Sequence, residues 1–487
     1  MNHKVAGLLL AASLGWVEPV GLLNFGYFAQ RDDSGGASKA MTGQENTGPV
    51  PHESLAISMP GSAMGICWGM VYGRPFSTAE VFLPQVRKLN AGFTRVILFW
   101  SQLEPAKGEY HWEVLDSYLD QLQSPDEGML TIYSASPWAT RNSTWVFPPS
   151  PARDPEDYAR FMRALVLHAK GRVRYFQNDS EPNNPMFWSG SKEEFVGQLR
   201  LFAKAVRGAD ANAKVVLGGS DGLFDPTGTH PLPGQQQVLD YFDYVLAEAA
   251  ADFDVFDLHL YADPYTIPAR VEFMRNRMAA HGYAKPIIAA EYNGPSFFEF
   301  PVNRKYFRLM AEMGVMESAD VRELYAAPQA LAPETQMFLQ GAPAALEERL
   351  QHLQARDMVI RNILAFSAGV QKMAFWDIWH ETEKRDQVKT LLYGKLKLLE
   401  HKDGELSEVL PLGRAYREMA AHLRGVESVE RMATGDALIY AFQVTRRDRG
   451  PVGVVWMREE GPGREVSLPG VSGKVAVTDI PRFFEMR

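Results

Sequence analysis

Eight short apolar runs, each followed by an amphipathic stretch, limit what this chain can fold into more than any other feature. They are MGICWGM near 64–70, FTRVILFW at 93–100, MLTIYSAS at 129–136, VRYFQN at 173–178, KVVLGG at 214–219, FDVFDLHLYA at 253–262, KPIIAAEY at 285–292 and QKMAFWDIW at 371–379. Runs of this length read as buried strands, and strands alternating with helical stretches predict an α/β protein. Eight such units predict a (β/α)8 TIM barrel, whose working loops follow the C-terminal ends of its strands.

The stretches between the runs carry helix signals of their own. Asp154 followed by Pro155 is an N-cap with a first-turn proline, and Gly171 is the stop. Ser191 and Glu194 have capping-box spacing, and Phe195, Leu199, Phe202 and Val206 make one apolar stripe behind them. LEERLQHLQARDMVIRNILAFSAG, before the eighth run, is a long amphipathic helix, and LGRAYREMAAHLRG is the expected eighth helix. A barrel takes about 250 residues, and the distance from Gly65 to Trp379 exceeds that. Much of the excess, residues 296–343, follows the seventh strand, where it is expected either to wall or cover the site or to be a structural excursion. The barrel is thus expected over 61–425. The runs ALIYAFQV, VGVVWM, REVSLPG and GKVAVTDI then predict a small all-β sandwich module over 426–487.

Composition narrows the function classes. The 487 residues are 46% hydrophobic, enough for a large core, and the formal net charge is −9 with no Lys/Arg block, so a nucleic acid is excluded as partner. A single cysteine, Cys67, excludes intrachain disulfides and thiolate metal clusters. Lys4 precedes VAGLLLAASLGWV, which is too short to span a bilayer before Glu18 and Pro19 and reads as a signal segment over 1–23. The polar, Gly/Ser-rich stretch 24–60 reads as a linker. A secreted or periplasmic protein follows from that reading. An ordinary buried helix in a cytoplasmic protein is its alternative.

Two carboxylates stand out against this frame. In YFQNDSEPNN, Glu181 follows the fourth strand, and Glu291 ends the seventh, 110 residues later (291 minus 181). Three βα units account for that spacing, so both side chains are expected at the C-terminal rim. Two carboxylates facing one cleft suit glycosidic bond cleavage, in which one protonates the leaving oxygen and the other attacks carbon or activates water.

At this level the ordered set TRVILFWSQLEPAKGEYHWEVLDSYLD, SEPNN, DLHLYAD, PIIAAEYNG and MAFWDIW resembles the clan A glycoside hydrolases, family 39-like or family 5-like. These are retaining (β/α)8 enzymes that need no metal or cofactor and act on oligosaccharides or polysaccharides. The resemblance implies that Glu181 is the general acid/base and Glu291 the nucleophile. It also implies that Arg95 keeps Glu291 ionised, that His259 and Tyr261 form a pair whose tyrosine hydroxyl contacts the nucleophile, and that Trp376 floors the sugar site. Trp100, Trp138 and Trp379 are further aromatic candidates. Members of the clan commonly carry Asn immediately before the acid/base, where it contacts the sugar 2-hydroxyl. Here that position is Ser180, with Asn178, Asn183 and Asn184 as neighbours able to replace the contact.

That departure motivates an alternative, a catalytically silent barrel that binds and handles a polysaccharide. A metal-dependent hydrolase would need His and Asp clusters at several strand ends. DLHLYAD supplies one histidine and WDIWH adds His380 without a third.

Overall fold

All eight apolar runs form strands in the computed structural model: β1 (Met64–Met70), β2 (Phe93–Phe99), β3 (Glu127–Tyr133), β4 (Tyr175–Asn178), β5 (Lys214–Ser220), β6 (Val255–Leu258), β7 (Ile287–Tyr292) and β8 (Met373–Trp376). They pair in sequence order, all parallel, and β8 closes on β1. The principal helices between and after them are α1 (Ala79–Lys88), α2 (Glu113–Leu119), α3 (Pro155–Ala169), α4 (Lys192–Ala209), α5 (Gln235–Glu248), α6 (Ile267–Ala280), α7 (Ala344–Ser367) and α8 (Pro411–Leu423). The structure describes residues 56–70, 79–220, 235–312, 317–379, 384–402 and 405–486. The expected signal segment, most of the linker and His380 lie outside them. Among the described residues no helix is long and apolar enough to cross a membrane.

Alternation along each strand builds the interior. On β2, Val96 and Leu98 face the helices, while Phe93, Arg95, Ile97 and Phe99 face inward. The lower interior is apolar, with Phe93, Met129, Tyr175, Val255, Ile288 and Ala374 in one cluster. Above it lies a fully buried polar girdle of Arg95, Thr131, Gln177 and Asp257. Buried polar groups are tolerable only when hydrogen-bonded to one another, so this girdle makes a rigid platform for whatever sits at the mouth.

The local signals act as their chemistry requires. The Asp154 carboxylate accepts from Glu156 N–H at the start of α3, Gly171 takes left-handed backbone (φ 77°) after it, and Ser191 and Glu194 form a reciprocal capping box on α4. The described parts of 296–343, residues 296–312 and 317–343, are a series of helical turns around Phe297, Leu309, Val321, Leu324 and Phe338, joined by Val388, Leu391 and Leu392. They therefore buttress the helix Val388–Tyr393, which carries Tyr393 to the mouth of the barrel.

A hairpin of β9 (Leu399–Lys402) and β10 (Glu405–Val409) precedes α8. Beyond it, β11 (Val426–Arg431), β12 (Ile439–Arg446), β13 (Arg449–Met457) and β16 (Arg482–Glu485) form an antiparallel sheet, and β14 (Arg464–Ser467) pairs with β15 (Lys474–Val477). Even-numbered residues of β12 and β13, among them Phe442, Val444, Val454 and Trp456, face the barrel, while Ile439, Ala441 and Val455 face the β14–β15 hairpin. Trp456 Nε1 donates to the Tyr265 hydroxyl at 3.0 Å, and Arg356 Nε to the Asp479 carbonyl at 2.9 Å, tying the module to the barrel.

Candidate active site

The chain bends sharply where β4 ends. Asp179 and Glu181 both take left-handed backbone, each with φ 49°, a conformation that costs a non-glycine residue on the order of 1 kcal/mol or more. The Asp179 carboxylate offsets this by accepting from Ser134 N (2.7 Å) and Ser134 Oγ (2.8 Å), and Glu181 N–H donates to the Gly219 carbonyl at 2.8 Å. Burial nevertheless pushes the Asp179 carboxyl up to about 7. β5 makes room for the bend through Gly218 and Gly219, where its register shifts. A Cβ on Gly218 would meet the Asp179 carbonyl at 2.9 Å, and one on Gly219 would lie 2.2 Å from His259 Nε2.

A second irregularity delivers Glu291. Strict alternation would send it to the helix side with Ala289, because Ile288 and Ala290 face inward. Instead the β7 register shifts between Ala289 and Tyr292, so that Tyr292 joins Ala289 on the outer side. The extra residue is Glu291, whose side chain turns inward, as a bulge permits.

Arg95, fully buried, is the hub beneath it. Nη1 donates to Glu291 Oε2 at 2.5 Å, Nη2 to Ser180 Oγ at 2.8 Å and to Gln177 Oε1 at 3.2 Å, and Nε to Thr131 Oγ1 at 2.9 Å. The Tyr261 hydroxyl donates to the other Glu291 oxygen, Oε1. His259 lies between two carboxylates, with Nδ1 2.8 Å from Glu181 Oε1 and Nε2 3.2 Å from Asp257 Oδ2. Asp257 is fixed in turn by Gln177 Nε2 and Ala290 N–H, both at 2.8 Å.

The charges follow from these contacts. Burial alone would raise the Glu291 carboxyl, but the His259 imidazolium and the Arg95 guanidinium outweigh it and hold the group below the usual carboxylate range. Burial works against a charged His259, yet Glu291 and Asp257 carry its pKa up to about 10. Ligand atoms of Glu181, His259 and Glu291 lie within 4.8 Å of one another, close enough to surround a cation. In the protonated form the imidazole has no lone pair to give a metal and instead places a positive charge between the carboxylates.

The structure thus brings together Arg95, Ser180, Glu181, His259, Tyr261 and Glu291. Trp376, half-buried at the end of β8, meets Tyr393 edge-on at 4.6 Å, and its carbonyl accepts from Asn293 Nδ2 at 2.9 Å. Asn183 is half-buried in the turn after Glu181. Of the three further aromatic candidates, Trp100 and Trp379 are corrected, and Trp138 is half-buried. Trp100 is fully buried, stacked on Phe161 at 5.1 Å, and its Nε1 donates to Glu104, so it has no face for a sugar. Trp138 packs edge-on against Trp100 and donates to the Glu104 carbonyl, and Trp379 is a core residue. Among the asparagines near Ser180, Asn178 accepts from the Tyr158 hydroxyl on the helix side and Asn184 caps its own loop at Met186 N–H.

Several residues escaped the sequence reading. Asp257 was detectable, since it precedes His259 and Tyr261 by the same two-residue period. Arg270 and Arg361 had no such signal. Arg270 donates to the His259 and Tyr261 carbonyls, and Arg361 to those of Leu260 and Ala262 at 2.8 Å each, so two buried arginines fix the segment that presents both site side chains.

The fold is shared with solved glycoside hydrolases. A family 39 glycoside hydrolase from the gut symbiont Bacteroides cellulosilyticus WH2 aligns with a TM-score of 0.58 at 13% identity over 87% of this chain and 81% of that one. A family 39 β-xylosidase from Caulobacter crescentus gives 0.50 at 14% identity, covering 81% and 78%. A family 51 α-L-arabinofuranosidase from Bifidobacterium longum gives 0.50 at 12%, covering 83% of each chain. The likeness is one of fold. No protein-family model matches the sequence, and no curated protein does.

Proposed function

We propose that this protein is a retaining glycoside hydrolase acting on a β-linked glycoside or polysaccharide. One observation carries the reading: Glu181 and Glu291 stand at the C-terminal ends of β4 and β7 with carboxylate oxygens within 4.8 Å of each other. A pair that close fits the roughly 5–5.5 Å carboxyl separation of double displacement and leaves too little room for the water of an inverting enzyme.

In the first step a Glu291 oxygen attacks the anomeric carbon while Glu181 gives its proton to the departing glycosidic oxygen, leaving a glycosyl ester on Glu291. In the second, Glu181 takes a proton from water, whose oxygen attacks the same carbon and releases Glu291. Arg95 and Tyr261 hold Glu291 as the carboxylate that attack requires, and Trp376 offers the face on which the sugar rests. If the leader acts as an export signal, the substrate is an extracellular or periplasmic glycan, which mass spectrometry of the mature N-terminus tests.

The test is covalent labelling with 2-fluoro and cyclophellitol-type β-glycosyl probes, read by intact and peptide mass spectrometry. An adduct on Glu291 in the wild type, absent from Glu291→Gln, is expected. A second reading, a silent carbohydrate-binding barrel, draws on Ser180, whose hydroxyl is turned down to Arg95 rather than toward the cleft. Oligosaccharide binding with no adduct from any probe favours that reading.

A further inference from the structure

The exposed large apolar side chains among the described residues are Trp145, Leu167, Val302, Leu438 and Ile480, and Trp145, 51% exposed, is the aromatic one. It lies in the loop between β3 and α3, on the face of the barrel where Glu181 and Glu291 stand. That loop is firmly tied. The Trp145 carbonyl accepts from Ser101 Oγ at 2.5 Å, Thr144 Oγ1 donates to the Pro148 carbonyl at 3.0 Å, and Asn142 N–H to Ser150 Oγ at 2.9 Å. Exposure of the indole therefore does not come from a slack loop.

The residues beside Trp145 join it to the site. Val146 and Phe147 pack on a cluster formed by Ile97, Phe99 and Tyr133, which are the next inward positions above Arg95 and Thr131. Phe147 meets Phe99 at 5.4 Å, Tyr133 at 5.1 Å and Phe187 at 5.3 Å. Tyr133 in turn lies within the field of both site glutamates: burial raises its hydroxyl most, and Glu181 and Glu291 add to that. An aromatic wall thus runs from the carboxylates up to Phe147, and two residues earlier the tied backbone of the same loop carries the exposed Trp145 indole. A pyranose ring offers a C–H face and a polar rim, and a flat aromatic surface with an open edge suits both.

Resting on the glycosidase reading above, we propose that Trp145 is the platform of an outer subsite, stacking on a sugar ring beyond the two that flank the scissile bond, so that the substrate is a glycan chain rather than a short glycoside. The test uses the full-length Glu291→Gln protein, with and without Trp145→Ala or Trp145→Phe. Each is titrated calorimetrically with β-1,4-linked gluco-, manno- and xylo-oligosaccharides of two to six residues, and wild-type hydrolysis of the same series is followed in parallel. Affinity is expected to rise with chain length. Trp145→Ala should weaken the longest binder roughly three- to tenfold, the size of a lost aromatic contact. It should leave the disaccharide unchanged, and Trp145→Phe should recover part of the loss. Equal affinities with and without the indole at every length, or an equal loss for disaccharide and hexasaccharide, overturn the subsite alone. A wild type that hydrolyses no member and a Glu291→Gln protein that binds none overturn the subsite together with the glycosidase reading.

Discussion

Replacing Tyr261 with Phe removes one hydroxyl, and its consequence is confined to Glu291. That hydroxyl donates to Glu291 Oε1, while Arg95 continues to hold Oε2. A hydrogen bond to a charged acceptor contributes roughly 1.5–3 kcal/mol, and one pKa unit corresponds to about 1.4 kcal/mol, so the Glu291 carboxyl should rise by about one to two units. The sign follows from its starting point. The folded-state pKa lies below the usual carboxylate value, so ionised Glu291 contributes stability that is present above that value and lost as pH falls through the folded one. The variant shrinks this contribution. Its stability advantage at neutral pH over fully protonating conditions should fall by the same roughly 1.5–3 kcal/mol. Because the attacking carboxylate must be ionised, the acid limb of kcat/KM should move up by the same one to two units. Both are measurable on one protein, by pH–rate profiles on an aryl β-glycoside and by urea denaturation across the same pH range. A uniform drop in kcat/KM with the acid limb in place would refute the reasoning, because Tyr261 would then act on something other than the ionisation of Glu291.

Other perturbations test separate parts of the site. Glu181→Gln should lower kcat/KM on substrates with poor leaving groups about 10²–10⁴-fold, much less on dinitrophenyl glycosides, with azide restoring turnover and appearing in the product as the glycosyl azide. Gly219→Ala places a methyl 2.2 Å from His259 Nε2; denaturation should show an overpacking cost of about 1–3 kcal/mol, and activity should collapse as the ring loses Asp257 and Glu181. His259 is raised from 6.5 to about 10, so its contribution is complete below pH 6.5 and lost as pH climbs through 10. That loss, up to roughly 5 kcal/mol, should be flattened in His259→Gln when unfolding is compared at pH 7 and 10. Arg361→Met leaves Asp357, Glu299 and two backbone carbonyls buried without their cation. It should cost about 3–5 kcal/mol, part of which the added Asp357→Leu returns.

The barrel was readable because every strand is an unbroken apolar run between helices that carry their own caps. Arg95, His259 and Tyr261 entered through the clan A resemblance, because residue type and strand position alone fit an ordinary ion pair or a satisfied core group equally well. What escaped depends on contacts that no local pattern encodes. Trp100 and Trp376 are both tryptophans at strand ends, but Phe161 and Tyr158 of α3 cover Trp100, which is fully buried, while Trp376 is half-buried. Ser180 points down to Arg95 because left-handed backbone at Asp179 and Glu181 rotates the turn between them. Even Glu291 was assigned by its order in the chain and against the strand period, which predicts the opposite face until the bulge is known. Tyr393 reaches Trp376 only because the 296–343 stretch supports the helix that carries it. The local rules therefore fail where strands are irregular, and those places form the candidate site.

The hydrogen-bonded set at the mouth also answers how a protonated histidine can sit beside a residue asked to act as an acid. Arg95 and His259 are cationic, Asp257 and Glu291 anionic, and the double displacement proposed above would begin with a proton on Glu181, so the five groups would then sum to zero. A buried set is least costly when its charges cancel. In the proposed first step Glu291 would lose one negative charge on becoming a neutral ester, and Glu181 would gain one by giving up its proton. The sum is still zero, with the new carboxylate 2.8 Å from the His259 imidazolium that stabilises it. The second step reverses both changes. His259 therefore need not exchange its own proton: its fixed charge serves Glu291 before the attack and Glu181 after it, which is why a ring held between Asp257 and Glu181 suits this site better than a freely titrating one.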